Sequence, residues 1–500
     1  MEPQNLDIQE NRSSYRQIVK ATSIFGGVQL ANIIINIVRS KFIAVLLGPA
    51  GMGINGLLKS SIGFIAALSN FGLGTSAVRN IAEASKSDDE QRLGIIVTVL
   101  RRLVWITGTV GAIITLVLSK QLSRIAFGND DYTFAFIWIS ITILFDQIST
   151  GQLVVLQGLR KIRYLANANF TGALIGLLVS VPIYYFWGVD GIVPAIILTS
   201  LANMFRAWYF AQKIKVNPVR VDMRKTLLEG KDMLKLGFLI SLSGLLTLGT
   251  SYILQVFISY IGGVEQVGLY SSGFVIINTY VGTVLTAMGT DYYPRLSSIA
   301  YDNQKASILI NQQAETAILI LVPIILVFFV FIKEVIILLY SSQFIAVNGM
   351  IQWAALGMIF KALSWSIAFI FLAKGASKIF FLNELTANIY FLVFNLMGYY
   401  FFRLEGLGVS FLLGYFIYFV QVLLVTKIKY DFFLQKELLK ILLTQLLLVI
   451  ICFLVVKFKQ VPGSYLIGAI LIISSAGYSI KQLNKRINLI QLYEKLTKKR

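Results

Sequence analysis

A chain of 500 residues that is 57% hydrophobic and only 14% charged, with 39 glycines, lies outside the soluble globular range and inside the polytopic membrane class. A single cysteine, Cys452, and the absence of histidine exclude an intrachain disulfide, the usual zinc sites and any histidine proton relay. The net charge of +20 raises the question of nucleic acid, which the placement of the cations answers below.

The opening residues, MEPQNLDIQENRSSYRQIVK, are polar and lead into a long apolar stretch instead of a short one with a small-residue cleavage site, so no cleaved signal peptide is expected. A window of about 20 residues, the length that crosses roughly 30 Å of hydrocarbon, finds fourteen spans. Their approximate limits are 21–47, 54–78, 95–118, 133–156, 166–187, 191–211, 236–261, 267–290, 309–332, 349–372, 381–402, 408–426, 439–457 and 464–481. The fold class is therefore an all-α polytopic membrane protein of about 14 helices.

Lys and Arg in the connections set the orientation. With the N-terminus inside, 33 of the 44 cations fall on the cytoplasmic side, among them seven in 213–235 and seven from 481 onward, and only six on the other. Both termini are expected in the cytoplasm. The positive charge is an orientation signal and not a nucleic-acid footprint.

Five cations remain inside spans: Arg39, Lys41, Lys59, Arg206 and Lys361. Intramembrane ionisable side chains face a bundle interior or a watery cavity, which makes them functional candidates. Arg39, Lys41 and Lys59 flank the turn Gly48–Gly53, and a rise of about 1.5 Å per residue puts Arg39 and Lys59 roughly 10 Å below one membrane face. Arg39 and Lys41 point about 200° apart, so they cannot both face one cavity squarely, and one of them snorkels or pairs. Arg206, one turn from the end of its span, reads as snorkelling.

A shift of about 215 residues relates two halves of six spans. Gly53 and Gly74 map to Gly268 and Gly289, Asp190-Gly191 maps to Glu405-Gly406, and with small register changes Phe127 maps to Tyr340 and Gly158, Lys161, Ile162 map to Gly375, Lys378, Ile379. Six is even, so the halves are parallel repeats about an axis along the membrane normal, an arrangement expected to enclose a central cavity. The predicted organisation is an N-terminal segment 1–20, a first six-helix bundle 21–211, a cytoplasmic linker 212–235, a second bundle 236–426, two additional helices 427–481 and a basic tail 482–500.

Asp146 and Lys361 are one repeat apart, and opposite charges at equivalent places suggest a gate or coupling pair. Asp291 and Glu384 are candidate protonation or cation sites, with helix capping as the alternative. Asn32, Asn36, Asn55 and Asn70 give the first two spans a polar face that either binds sugar hydroxyls or holds helices together. Trp353, near an outer end, is a candidate for stacking on sugar. Gly51, Gly53 and Gly56 spell G-x-G-x-x-G but follow no strand, so they form a turn and not a dinucleotide site. The acidic run Asp88, Asp89, Glu90 reads as a solvated loop.

The pair of spans joined by KFIAVLLGPAGMG, the loop VLQGLRKIRY with its counterpart AKGASKIF, YYPRLSSI after the eighth span, and LLYSSQF leading into QWAALGMIFKA resemble the polysaccharide transport family, over about residues 18–430. That family contains Wzx-type O-antigen translocases and lipid III flippases, within the multidrug/oligosaccharidyl-lipid/polysaccharide exporter superfamily. The resemblance implies a flippase that carries undecaprenyl-pyrophosphate-linked oligosaccharide, O-antigen or another surface repeat unit, from the inner to the outer leaflet. It implies a lipid-linked oligosaccharide and membrane lipid as partners, with polysaccharide polymerase and chain-length proteins nearby. Arg39, Lys41, Lys59 and Lys361 would then bind the anionic substrate, and Asp146, Asp291 and Glu384 would gate or couple. No nucleotide-binding loop is present, so energy is expected from an H+ or Na+ gradient, the substrate gradient or a partner. No cofactor, metal or enzymatic activity is expected. The alternatives are a multidrug or small-solute exporter of the same superfamily, whose cavity would want acidic residues for cationic drugs, and a polysaccharide polymerase or ligase, which would want a large outer loop.

Overall fold

A computed structural model describes residues 3–86, 89–214, 216–217, 219–458 and 463–487. The tail beyond residue 487 and the side chains of the N-terminal segment, with their cations, lie outside the described residues. No strand occurs among the described residues; the helices are α1 (Pro3–Asn70), α2 (Leu73–Lys86), α3 (Glu90–Val117), α4 (Ser119–Phe127), α5 (Thr133–Gly158), α6 (Ile162–Trp187), α7 (Ile192–Gln212), α8 (Met223–Gly262), α9 (Val264–Val275), α10 (Thr283–Ile299), α11 (Asn303–Leu339), α12 (Asn348–Ala373), α13 (Ser377–Tyr430), α14 (Lys436–Phe458) and α15 (Ser464–Ile487).

Among the described residues, eleven segments are long and apolar enough to cross a bilayer, and three of them, of 40, 51 and 54 residues, are too long to cross it once. Each of the three is interrupted. Ala31–Asn70 breaks at Gly48 (φ 63°, ψ −172°), Ile162–Gln212 at the short turn Gly188–Gly191, and Ser377–Tyr430 at Arg403 (φ 52°, ψ −138°). The last break is a hairpin. Ser410 Oγ donates to the Phe394 carbonyl at 2.6 Å and Gln421 Nε2 to Asn383 Oδ1 at 2.7 Å, which joins the two arms antiparallel about Arg403. Counted as two crossings each, the three segments account for the fourteen spans.

The 215-residue repeat is written in the backbone. Positive φ occurs at Gly48 and Gly263, at Arg160 and Gly375, and at Gly188 and Arg403, each pair one shift apart. The turns after α5 and α12 also make the same bonds: Lys161 N–H donates to the Leu156 carbonyl at 2.9 Å, and Ala376 N–H to that of Phe371 at 2.8 Å.

The chain forms two compact units, Met1–Val267 and Gly268–Arg500. In the first, α3 meets α5 at small residues: a Cβ on Gly108 would stand 3.2 Å from the Gln147 Cβ, and one on Gly151 would stand 2.9 Å from a Val104 methyl. The segment expected as a linker, 212–235, is helical from Met223 onward and docked. Val221 and Met233 are buried in one cluster with Val99, Leu100, Leu103 and Val104 of α3. Gly72 and Gly237 bring α2 and α8 so close that a Cβ on Gly72 would lie 2.0 Å from the Gly237 carbonyl oxygen. The seventh span therefore packs with the first six, which moves the unit boundary beyond the expected linker.

In the second unit α11 is the central helix, with Leu321, Val322, Ile325 and Leu326 fully buried. The last two spans fasten to it. Arg486 Nη2 of α15 pairs with Glu315 Oε2 of α11 at 2.7 Å, and the Asn311 side chain bonds the Phe433 carbonyl and the Gln435 N–H at the entry to α14.

Candidate functional site

The site in the first unit is built on α1. Gly48 turns the chain back, so Arg39 on one arm and Lys59 on the other come within electrostatic reach of each other. The Arg39 guanidinium lies along the small-residue face of α6: Nε donates to Ser180 Oγ at 3.2 Å, and a Cβ on Gly176 would lie 2.9 Å from Nη1. Ser180 is eight residues below Gly188 and Arg39 nine below Gly48, so both helices put this contact roughly 12–13 Å beneath the same turn level. Arg39 makes no ion pair among the described residues. Lys41 is half-buried and leaves the helix in a different direction.

Asp146 of α5 joins this group. Its carboxylate accepts from Ser200 Oγ of α7 at 2.5 Å and interacts electrostatically with Lys59. Lys59 and Asp146 are both exposed although each lies well inside a membrane-length helix. A charge at that depth is met by a polar partner or by water, because lipid would not tolerate it. Asn32, Asn55 and Asn70 of α1 add side-chain carbonyl oxygens that are buried and accept no hydrogen bond among the described residues.

Arg206 belongs to the same wall and was missed by the reading as a snorkelling cation. Its guanidinium does not run to the end of α7. It packs against α6, where a Cβ on Gly172 would fall 1.9 Å from Nη1. Gly172 is one turn from Gly176, so the Arg206 and Arg39 guanidinia occupy successive turns of α6, about 6 Å apart along its axis. The signal in the sequence is the spacing Gly172, Gly176, Ser180, which clears room on one helix face.

In the second unit Lys361 and Asn278 sit on segments equivalent to α5 and to the second arm of α1. Lys361 of α12 donates to Asn278 Oδ1 and lies 5.2 Å over the Tyr415 ring and 5.7 Å over the Phe411 ring. Asn278 is in a π-helical turn, Ile276–Val281, the kind of local widening that recurs at functional positions. Glu384 of α13 accepts from Tyr418 OH at 2.6 Å and interacts with Tyr390. Asp291 is placed differently: it is exposed on α10 and pairs with Arg295 one turn on at 3.2 Å. Trp353 donates its indole N–H to Glu405 Oε1 at 2.9 Å, which ties it to the Arg403 break in the middle of α13.

Asp146 and Lys361, expected to face each other, each have partners inside their own unit: Lys59 and Ser200 for the first, Asn278 for the second. The Asp146–Lys59 and Lys361–Asn278 contacts each run from the fourth span of a half to its second.

Fourteen crossings among the described residues, twelve of them in two backbone-equivalent halves, with charges held inside the spans, define an all-helical multi-pass membrane protein. The fold is similar to the lipid II flippase MurJ in its inward closed conformation (TM-score 0.70, 13% identity, covering 93% of this chain and 99% of that one). It is also similar to an inward-facing multidrug resistance MATE family transporter (TM-score 0.66, 15% identity, 80% and 94% covered). The chain belongs to the polysaccharide biosynthesis protein family, which matches residues 42–348. Its relatives include the lipid III flippases of Escherichia coli (strain K12) and Shigella flexneri, each 21% identical over 390 residues that cover 75% of this chain and 90% of theirs.

Proposed function

We propose that this protein is a flippase that moves undecaprenyl-pyrophosphate-linked oligosaccharide, an O-antigen or other surface polysaccharide repeat unit, from the cytoplasmic to the periplasmic leaflet by alternating access. The observation that carries the reading is the Arg39 guanidinium, held on α6 by Ser180 without a carboxylate partner among the described residues and beside Lys59. An uncompensated cation inside a membrane protein needs an anion, and the substrate's diphosphate is one that must cross hydrocarbon. The lipid III flippase relatives and the MurJ-like fold support the same class of cargo.

In this reading Arg39 takes phosphate oxygens through its fork of donors, Lys59 contributes a point charge, and Asp146 releases Lys59 when the diphosphate arrives. The buried carbonyl oxygens of Asn32, Asn55 and Asn70 accept hydrogen bonds from sugar hydroxyls. Glu384, bonded to Tyr418, is the group on which an H+ or Na+ gradient acts. The face that carries residues 213–225 is cytoplasmic, in keeping with its cations.

The test is reconstitution into proteoliposomes with a fluorescent lipid-diphosphate oligosaccharide in both leaflets and a membrane-impermeant quencher outside. Protein-dependent movement of the label across the bilayer, lost in Arg39→Ala, is expected. Label that stays in its leaflet with folded wild-type protein refutes the proposal.

A further inference from the structure

A second cationic feature lies away from the Arg39 group, on the outer side of α3. A cavity of about 710 Å³ is bordered by Arg101, Arg102, Trp105, Val221, Asp222 and Met223. Its two arginines differ. Arg102 is used within the fold: Nη1 donates to the Val221 carbonyl and to Thr226 Oγ1 at 3.0 Å, which pins the start of α8 to α3. Arg101 makes no ion pair among the described residues, and its Nε is buried without a hydrogen-bond partner there.

The position of Arg101 along the helix matters. Residues 103–117 contain no charge, whereas Arg79, Glu83, Asp89, Glu90 and Arg92 precede them, so Arg101 and Arg102 mark the boundary between the polar face and hydrocarbon. Within about 80° of Arg101 around the helix come exposed Trp105 and Thr109 and half-buried Ala112, which makes one stripe of α3 that starts with a guanidinium, passes an indole and ends at a small apolar residue. The stripe is about 16 Å long, close to the hydrocarbon depth of one leaflet. Arg220 and Arg224, both exposed, adjoin the bordering residues Val221–Met223 in the chain and outnumber the one bordering carboxylate, Asp222.

We propose that this groove binds an anionic glycerophospholipid of the surrounding bilayer, its headgroup phosphate on Arg101 and an acyl chain along Trp105 and Ala112. A basic pocket at the headgroup level attracts anionic lipid, and the guanidinium fork suits a phosphate. The site is separate from the substrate group, and the inference does not depend on the cargo.

Trp105 reports on its own neighbour. Wild-type protein and Trp105→Phe are placed in bilayers that contain brominated phosphatidylglycerol among ordinary phosphatidylcholine, or brominated phosphatidylcholine among ordinary phosphatidylglycerol, at equal bromine content. The difference between the two proteins isolates quenching of Trp105. The expected result is that phosphatidylglycerol competes for the position about fivefold better than phosphatidylcholine, the preference one interfacial arginine confers. Arg101→Gln abolishes that preference, Arg101→Lys keeps part of it, and Arg79→Gln on the exposed face of α2 leaves it intact. Equal quenching by the two lipids in wild type, or a preference that survives Arg101→Gln, overturns the proposal. So does displacement of the brominated lipid by a small amount of isoprenyl diphosphate, which would make the groove a substrate site.

Discussion

Gly188 and Arg403 hold the same left-handed backbone, φ 54°, ψ −130° and φ 52°, ψ −138°, at equivalent points of two hairpins 215 residues apart. Glycine adopts this conformation freely, while arginine is strained there. Gly188→Ala is therefore expected to lower stability by about 1–3 kcal/mol. Arg403→Gly removes strain but also the Arg403 contact over the Tyr399 ring at 5.8 Å, so its melting temperature should be unchanged or higher. Thermal melting in detergent checks both. A fall for Arg403→Gly as large as that for Gly188→Ala would mean that the second hairpin is held by the arginine side chain and not by its backbone.

The crossings were legible because a run of apolar residues of bilayer length is a strong local signal, and the repeat was legible where glycines mark it. It was misplaced at Gly375, which is the backbone counterpart of Arg160 and not of Gly158, and it was not legible at Arg403, since a non-glycine residue does not announce positive φ. The docking of α8 was hidden for another reason: Val221 and Met233 lie among cations in the sequence, and only the surface of α3 supplies their cover. The site was legible to the extent that intramembrane charge is rare, so Arg39, Lys59 and Asp146 stood out. Their partners were not, because Ser180, Ser200 and Gly172 are ordinary membrane-helix residues whose role depends on which helix they face.

Arg39→Ala should abolish export at normal protein abundance, since the guanidinium touches mainly Ser180 and the open face of Gly176. Arg39→Lys should restore only part of it because the fork is lost. Ser180→Ala removes one hydrogen bond to the guanidinium and should cost about tenfold or less. Surface polysaccharide on intact cells, normalised to immunoblotted protein, is the measurement. Full activity in Arg39→Ala would leave the cation with a packing role only.

The partners of Asp146 make a competition between two charge swaps. Asp146→Asn and Lys59→Gln should each impair export, because each leaves an intramembrane charge without its counterpart. Asp146→Lys with Lys59→Asp should recover a substantial part, whereas Asp146→Lys with Lys361→Asp should not, since Lys361 donates to Asn278. The opposite ranking, at matched expression, would make Asp146 and Lys361 the functional pair.

Arg206 and Gly172 should behave as one unit. A methyl on Gly172 would meet Nη1 of Arg206 at 1.9 Å and Cζ at 2.5 Å, so Gly172→Ala must push the guanidinium off α6. If that placement serves export, Gly172→Ala and Arg206→Ala should reduce it to a similar level, and Arg206→Lys should do better than Arg206→Ala. The double variant Gly172→Ala with Arg206→Ala should be no worse than Arg206→Ala alone, because the clash disappears with the side chain it displaced. Helix packing alone gives a different pattern: two independent losses that add in the melting temperature, and export that follows stability in every variant.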